Sequence, residues 1–324
     1  MEIQAGLGKT QYGCIPMAPN TAWEWLEQYG AVDIGADREL SFAERSQRLT
    51  DKLQQEQMSA RLEKKLRQSK AMARSRAQLV QTGSGYGVLG VHGKWTSHLE
   101  FVDETGEFAV WKHFMEGESL PIPNSQERPG VFLNDGESRK RLEEAVKTEE
   151  KENWYARYHL GLRYYQEEAY EKAKKEFEIS HALIPNAWAL HGLSCTELKK
   201  GERKKAAEYI LNGMRLQKQE SSYVKEGFKL LLFCESYEEI CGFYEGLDGA
   251  LQEESRIKFY YIRALSSVGR EKEAYELLET EDGFVLDDIR EGEDSLATVW
   301  QELHEKLYGE KGKVPHRYCF DAFA

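Results

Sequence analysis

The strongest pattern in the chain lies between about residues 153 and 280. There apolar residues recur at the three-and-four spacing of amphipathic helices, with short polar turns between them. Lining up Leu160-Gly161, Leu193-Ser194, Glu226-Gly227 and Tyr261-Ile262 puts the second member of each pair 33, 33 and 35 residues after the one before. Twelve residues further on stand Ala173, Ala206 and Ala274, while Glu239 breaks the pattern in the third unit. The first unit is the most regular. It carries Leu160, Gly161 and Tyr164 on one segment and Tyr170, Ala173, Phe177 and Ser180 on the next, closed by Pro185. Gly161 and Ala173 are small where two helices must cross closely. Tyr164 and Phe177 are large enough to fill the space between successive hairpins, and Pro185 cannot continue a helix. Gly201 and Gly269 fall in turns, where glycine suits the left-handed residue that closes a helix.

A helix–turn–helix unit of about 34 residues is the tetratricopeptide signature. Each hairpin exposes an apolar face that only a neighbour can cover. The expected fold class is therefore mainly α: a tetratricopeptide-type α-solenoid preceded by a mixed, loop-rich segment with one long helix. Residues 1–140 form the expected N-terminal adaptor, 141–308 the helical repeats with a capping helix, and 309–324 a C-terminal tail. The capping helix spans 295–308, with Ser295 as N-cap and Leu296, Val299, Trp300, Leu303 and Leu307 as its apolar stripe. Residues 281–294 are acidic and read as loop, and the tail from Val314 to Phe320 is aromatic enough to fold back.

The first 140 residues are punctuated by glycine and proline. Residues 1–19 predict a short strand with loops, and Thr21 to Tyr29 a helical turn or two burying Trp23, Leu26 and Tyr29. Residues 41–81 predict one long helix, opened by Ser41 with Glu44 three residues on and striped by Met58, Leu62, Leu66, Ala73, Ala77 and Val80. Residues 82–140, with Gly83-Ser84-Gly85-Tyr86-Gly87 and the aromatics Trp95, Phe101, Phe108, Trp111 and Phe114, predict an irregular packing layer between that helix and the repeats.

Composition narrows the function. The chain has 324 residues, 40% hydrophobic and 31% charged, with a formal net charge of −12. That charge disfavours nucleic acid and anionic lipid as partners. No apolar run approaches the roughly 20 residues of a membrane span, and the N-terminus lacks the basic and apolar regions of a secretory signal, so the expected location is cytoplasmic. The five cysteines (Cys14, Cys195, Cys234, Cys241, Cys319) include no C-x-x-C pair. They read as reduced thiols, three of them in helices, with a disulfide framework or zinc site as the alternative.

Candidate chemistry is thin. Gly6-Leu7-Gly8-Lys9-Thr10 imitates the end of a phosphate-binding loop, but Ile3 stands where the first glycine belongs. Glu24 and Glu27 flank Trp25 and could serve as a carboxylate pair for sugar hydrolysis, or simply keep a helix face soluble. Arg61, Lys64, Lys65, Arg67, Lys70, Arg74 and Arg76 form a basic run without interleaved aromatics, which favours a solvated face over a phosphate contact. His92, His98 and His113 show no metal-ligand spacing. His191 and Cys195, four apart on one helix face, lack an oxyanion motif. No catalytic, cofactor or metal residue is expected.

Several stretches together resemble one family. They are Glu2 to Leu7 with Thr10-Gln11, Trp23-Glu24-Trp25-Leu26-Glu27 with Tyr29-Gly30, the motif Gly83 to Gly87, Asn153-Trp154 at the first repeat, and Pro315 with Phe320-Asp321 at the close. They are similar to bacterial tetratricopeptide-repeat proteins that carry a galactose-mutarotase-like β-supersandwich, a domain of unknown function, at the N-terminus. In that family hundreds of residues of sandwich precede the first motif, whereas here Met1 stands against it. The resemblance implies the C-terminal portion of such a protein and an architecture more than a reaction.

The remaining functional surface is the concave face made by the first helix of each unit. In register it presents Tyr155, Tyr158, Leu162 and Tyr165, then Trp188, His191, Cys195 and Leu198, then Val224, Phe228 and Leu231, then Phe259, Arg263 and Ser266. An aromatic groove of this kind can hold an apolar peptide, or be filled by the protein's own tail or N-terminal layer. The expected function is a non-catalytic interaction or scaffold module whose partner is a protein or peptide. The alternative is an accessory C-terminal region of a carbohydrate-active or carbohydrate-binding protein.

Overall fold

The computed structural model describes residues 6–8, 14–35, 40–73, 75, 78, 80–83, 85–89, 100–280, 283–289 and 295–319. The chain divides into two compact units, 1–81 and 82–324.

In the first unit, α1 spans Phe42–Gln55 and α2 spans Met58–Ala73. Ser41 and Glu44 form the expected capping box: the Glu44 amide donates to Ser41 Oγ at 3.3 Å, and the Ser41 amide donates to Glu44 Oε2 at 2.9 Å. The single helix expected over 41–81 is broken. Gln57 takes φ 50°, the left-handed region, and its amide donates to Gln54 O at 2.9 Å, closing α1. Residues 54–57 are all polar and α1 buries none of its side chains, so no packing forces the helix through. Residues 75, 78, 80 and 81 are not helical, Val80 is exposed, and Ala77 lies outside the described residues.

Thr21 to Tyr29 is irregular rather than helical, and Trp23, Trp25, Leu26 and Tyr29 are exposed rather than buried. A segment this short stays helical only with a covered apolar face, and this one has none within its unit. Residues 6–8 and 14–19 contain no strand, and the rest of that expected strand lies outside the described residues.

The second unit begins at the glycine motif. Gly83 pairs with the strand-like stretch at Phe101: its amide donates to Glu100 O at 2.8 Å, and its carbonyl accepts from the Val102 amide at 2.9 Å. The Phe101 ring occupies the space a Cβ on Gly83 would need, 2.8 Å away. A 3-10 turn follows at Gly85–Leu89. Helices α3 (Glu107–Met115) and α4 (Gly136–Ala145) come next. The stretch expected to belong with the N-terminal helix therefore belongs here. Trp111, Phe114, Leu120, Leu133 and Leu142 share a buried core with Trp154, Leu160 and Phe177, and the chain divides after Gln81 rather than near residue 140.

Paired helices then run in order: α5 (Trp154–Gln166) with α6 (Tyr170–Leu183), α7 (Ala187–Lys199) with α8 (Arg203–Leu216), α9 (Ser221–Phe233) with α10 (Tyr237–Glu245), a short α11 (Gly249–Gln252), and α12 (Ser255–Ser267) with α13 (Glu271–Leu278). Each packs on its neighbours in sequence, an arrangement consistent with an α-solenoid. The small residues explain the close approach. Phe177 on α6 is wedged between Gly161 on α5 and Gly192 on α7, where added Cβ atoms would stand 2.7 and 2.6 Å from its ring. Met214 on α8 meets Gly227 on α9 in the same way, at 2.5 Å. Ser194 sits one unit on from Gly161 and donates its hydroxyl to Ala206 O at 2.8 Å. Ile184 and Pro185 end α6, and Gly201 and Gly269 take φ 80° and 82° in the turns.

The array closes on α14 (Ser295–Tyr308), which buries Leu296, Val299, Trp300 and Leu303. The tail folds back: Tyr318 is fully buried, its hydroxyl donating to Leu278 O at 2.6 Å and accepting from the Phe284 amide at 3.3 Å. Phe320 lies outside the described residues.

Candidate functional site

Helices α5, α7, α9 and α12 carry the residues expected to line a groove, and the structure divides them. Tyr155, Val224, Phe228, Leu231 and Phe259 are buried; Tyr158, Leu162, Tyr165, Trp188, His191, Cys195 and Leu198 are half-buried; Arg263 is exposed. The buried members are core side chains. Phe228 meets Phe243 edge-on at 6.1 Å, and Phe259 stacks on Phe284 at 6.3 Å. Arg263 faces a separate cleft of about 250 Å³, shared with Tyr237, Ser266, Glu302 and Lys306.

Over the N-terminal ends of α5, α7 and α9 lies a segment from Leu120 to Leu133, Leu-Pro-Ile-Pro-Asn-Ser-Gln-Glu-Arg-Pro-Gly-Val-Phe-Leu. Pro121 and Pro123 bias the residues before them away from helix and toward extended backbone. Its carbonyls are taken by side-chain donors from successive helix pairs. Asn153 Nδ2 donates to Leu120 O at 3.1 Å, Trp154 Nε1 to Pro123 O at 3.2 Å, Trp188 Nε1 to Ser125 O at 3.2 Å, and Gln217 Nε2 to Gln126 O at 2.7 Å. Arg128 then pairs with Glu220 and donates to Ser222 Oγ at 3.0 Å. Beyond this tip the chain returns to α3, whose Trp111 Nε1 donates to Val131 O at 2.7 Å.

The two ends of this strap are firmly seated and its tip is not. Leu120 and Leu133 are buried, whereas none of residues 121–130 is. Glu150, itself buried, accepts from the Leu120 amide at 2.8 Å and from Asn153 Nδ2 at 2.7 Å. Asn153 also caps α5, accepting from the Tyr155 amide at 2.9 Å, so the same side chain starts the first helix pair and grips the strap.

Beneath the returning limb, His159 on α5 is fully enclosed by Trp111, Tyr155 and Tyr158, with ring centroids at 4.7, 4.2 and 5.2 Å, all edge to face. Neither ring nitrogen has a hydrogen-bond partner. Burial alone drives its pKa down from 6.5 to about 3, so the ring is neutral at ordinary pH. Burial likewise pushes the Tyr155 hydroxyl up to about 12, although a hydrogen bond from the Gly130 backbone opposes this.

The other candidate chemistry does not assemble. Cys195 Sγ lies 3.9 Å from His191 Nδ1, but burial pushes the thiol up to about 11 and pushes the imidazole pKa down, leaving a neutral pair. Glu24 and Glu27 turn to different partners, Lys70 at 2.6 Å and the Tyr29 hydroxyl at 2.6 Å. In the basic run Arg67 pairs with Glu63 at 3.1 Å, and Arg74 and Arg76 lie outside the described residues. Lys9, Thr10, His92 and His98 also lie outside them, and His113 is an exposed side chain 3.9 Å from Glu118. Among the described residues no three His, Cys, Asp or Glu side chains come together as a metal site, and no helix is long and apolar enough to cross a membrane.

Neither the strap nor His159 stands out in the sequence reading. The signals are present: three prolines and a glycine within Leu120 to Leu133, and a histidine directly after the aromatic stretch Trp154 to Tyr158. No family model and no curated protein matches the chain.

Proposed function

We propose that this chain is a non-catalytic protein-interaction scaffold whose helix pairs are repeats of tetratricopeptide type. The periodicity of small residues and the packing of each pair on the next support the repeat reading. The observation that carries the function is the strap: side chains from successive helix pairs hold irregular main chain by its carbonyls. Main-chain bonds of this kind give affinity for extended peptides elsewhere, with side-chain pockets giving selectivity. The family proposal, tetratricopeptide proteins with an N-terminal galactose-mutarotase-like domain, rests on the short motifs described above. Its partners are proteins or peptides rather than nucleic acid or membrane.

Leu162, Tyr165 and Leu198, further along α5 and α7, are half-buried and keep part of their surface exposed. Affinity capture from native lysate, comparing wild type with Leu162→Lys and Leu198→Lys, tests the reading. Partners specific to wild type and lost from both variants, with cooperative melting retained, support it. Identical recovery from all three chains, or turnover of a substrate by the purified chain, overturns it.

A further inference from the structure

The strap tip occupies its seat as a peptide ligand would, and weakly. Residues 121–130 contribute no buried side chain. What holds them is four carbonyl hydrogen bonds, from Asn153, Trp154, Trp188 and Gln217, the contacts of Arg128 with Glu220 and Ser222, and a hydrogen bond between the Gly130 backbone and the Tyr155 hydroxyl. Carbonyl contacts are blind to side-chain identity. The only sequence-selective elements are the proline-biased backbone and the cation that Glu220 receives. The arginine beside Glu220 holds that carboxyl below its ordinary pKa, so the acidic end of the seat is charged at neutral pH.

Removing the tip would expose two indole N–H donors, Trp154 and Trp188, whose strap acceptors are two residues apart, with an acid three residues beyond the second. Indole donors spaced along an aromatic face are the physical means by which proline-rich, extended segments are recognised, because such segments keep their carbonyls free and lose little entropy on binding.

We propose that the face formed by Trp154, Trp188, Gln217, Glu220 and Ser222 is a docking site for an extended, proline-containing segment of another protein. That segment bears an arginine or lysine three residues after the carbonyl bonded to Trp188, and it competes with this chain's own strap tip. The proposal deepens the interaction-module reading and rests on it. The strap acts as a tethered competitor. Held at millimolar effective concentration by its buried ends, it masks the site until a better-matched segment displaces residues 122–130. Leu120 and Leu133 stay seated throughout, so displacement does not unfold the core they share with Trp111 and Leu142.

The test uses the full chain and a fluorescein-labelled peptide of residues 122–130, Ile-Pro-Asn-Ser-Gln-Glu-Arg-Pro-Gly. Arg128→Glu sets two acids against each other and frees the tip, which hydrogen exchange at the Trp188 Nε1–H, bonded to Ser125 O in the seated state, reads directly. In fluorescence anisotropy the peptide is expected to bind Arg128→Glu at least tenfold more tightly than wild type. Adding Trp188→Phe, which removes the indole donor while keeping an aromatic ring, is expected to abolish that gain. A peptide with glutamate in place of its arginine is expected to bind at least tenfold more weakly. Equal affinity for wild type and Arg128→Glu, a gain that survives Trp188→Phe, or a Trp188 indole N–H that stays protected in Arg128→Glu would each overturn the proposal. Failure here alongside successful lysate capture by the Leu162 and Leu198 row would sink the docking proposal and leave the scaffold reading standing.

Discussion

Replacing His159 by phenylalanine isolates the energetic consequence of the buried, unpartnered ring. In the folded chain the imidazole is enclosed by Trp111, Tyr155 and Tyr158 and stays neutral down to about pH 3; unfolded, it takes a proton near 6.5. Because the folded value is the lower one, the unfolded chain binds more protons between those limits. Stability is therefore fully present above pH 6.5 and is lost as the pH falls toward 3. Between pH 7.5 and 4.5 about two pH units of that window are crossed, which at ~1.36 kcal/mol each costs the wild type about 3 kcal/mol from this residue alone. At neutral pH the substitution changes little. It removes two unsatisfied nitrogens, worth about 1–3 kcal/mol, and pushes a larger ring into a tight cage at a similar cost. Urea unfolding followed by tryptophan fluorescence at both pH values gives the comparison, since every other titrating group is common to the two chains. His159→Phe is expected to lose about 3 kcal/mol less than wild type on acidification. Equal acid sensitivity in the two chains would refute the neutral, desolvated histidine.

Further outcomes follow from the helix contacts. Gly192→Ala places a methyl 2.6 Å from the Phe177 ring and is expected to cost roughly 1–3 kcal/mol, whereas Gly242→Ala in α10, with nothing within 4 Å, is expected to stabilise by roughly 0.5–1 kcal/mol. Thermal denaturation of the pair reads both signs. Tyr318→Phe removes the hydroxyl bonded to Leu278 O and the Phe284 amide and is expected to cost about 1–3 kcal/mol, with hydrogen exchange rising first around residues 283–286. Iodoacetamide at pH 8 is expected to label exposed Cys14 well before Cys195, Cys234 and Cys241, whose thiols burial pushes up to about 11; mass spectrometry of the native protein gives the order.

The helix pairs are legible in the sequence because they are governed by local periodicity and by steric demands that few residues meet. Gly161 is small because the Phe177 ring presses on it, Ala173 is fully buried, and Ser295 to Tyr308 displays its buried stripe at helical spacing. Three features escape that logic. The break at Gln57 depends on the absence of burial around α1, which periodicity does not report. Trp23, Leu26 and Tyr29 have a helical pattern without a covering partner in their unit, so pattern alone misplaces them. The strap is held by side chains 20 to 94 residues away, and no local rule connects Ser125 to Trp188 or Arg128 to Ser222. The groove residues show the same limit: register identifies which side chains share a face, but not that Val224, Phe228 and Phe259 are already enclosed by the core.

The helix pairs hold a peptide-like segment, the strap, through indole donors. The most direct measurement is hydrogen exchange at the Nε1–H of Trp154 and Trp188, resolved by NMR of the tryptophan-labelled chain and compared with Arg128→Glu. Both indoles are expected to exchange slowly in the wild type, and Trp188 to approach the free-tryptophan rate once Arg128 is reversed. Free-tryptophan exchange at both positions in the wild type would contradict the account.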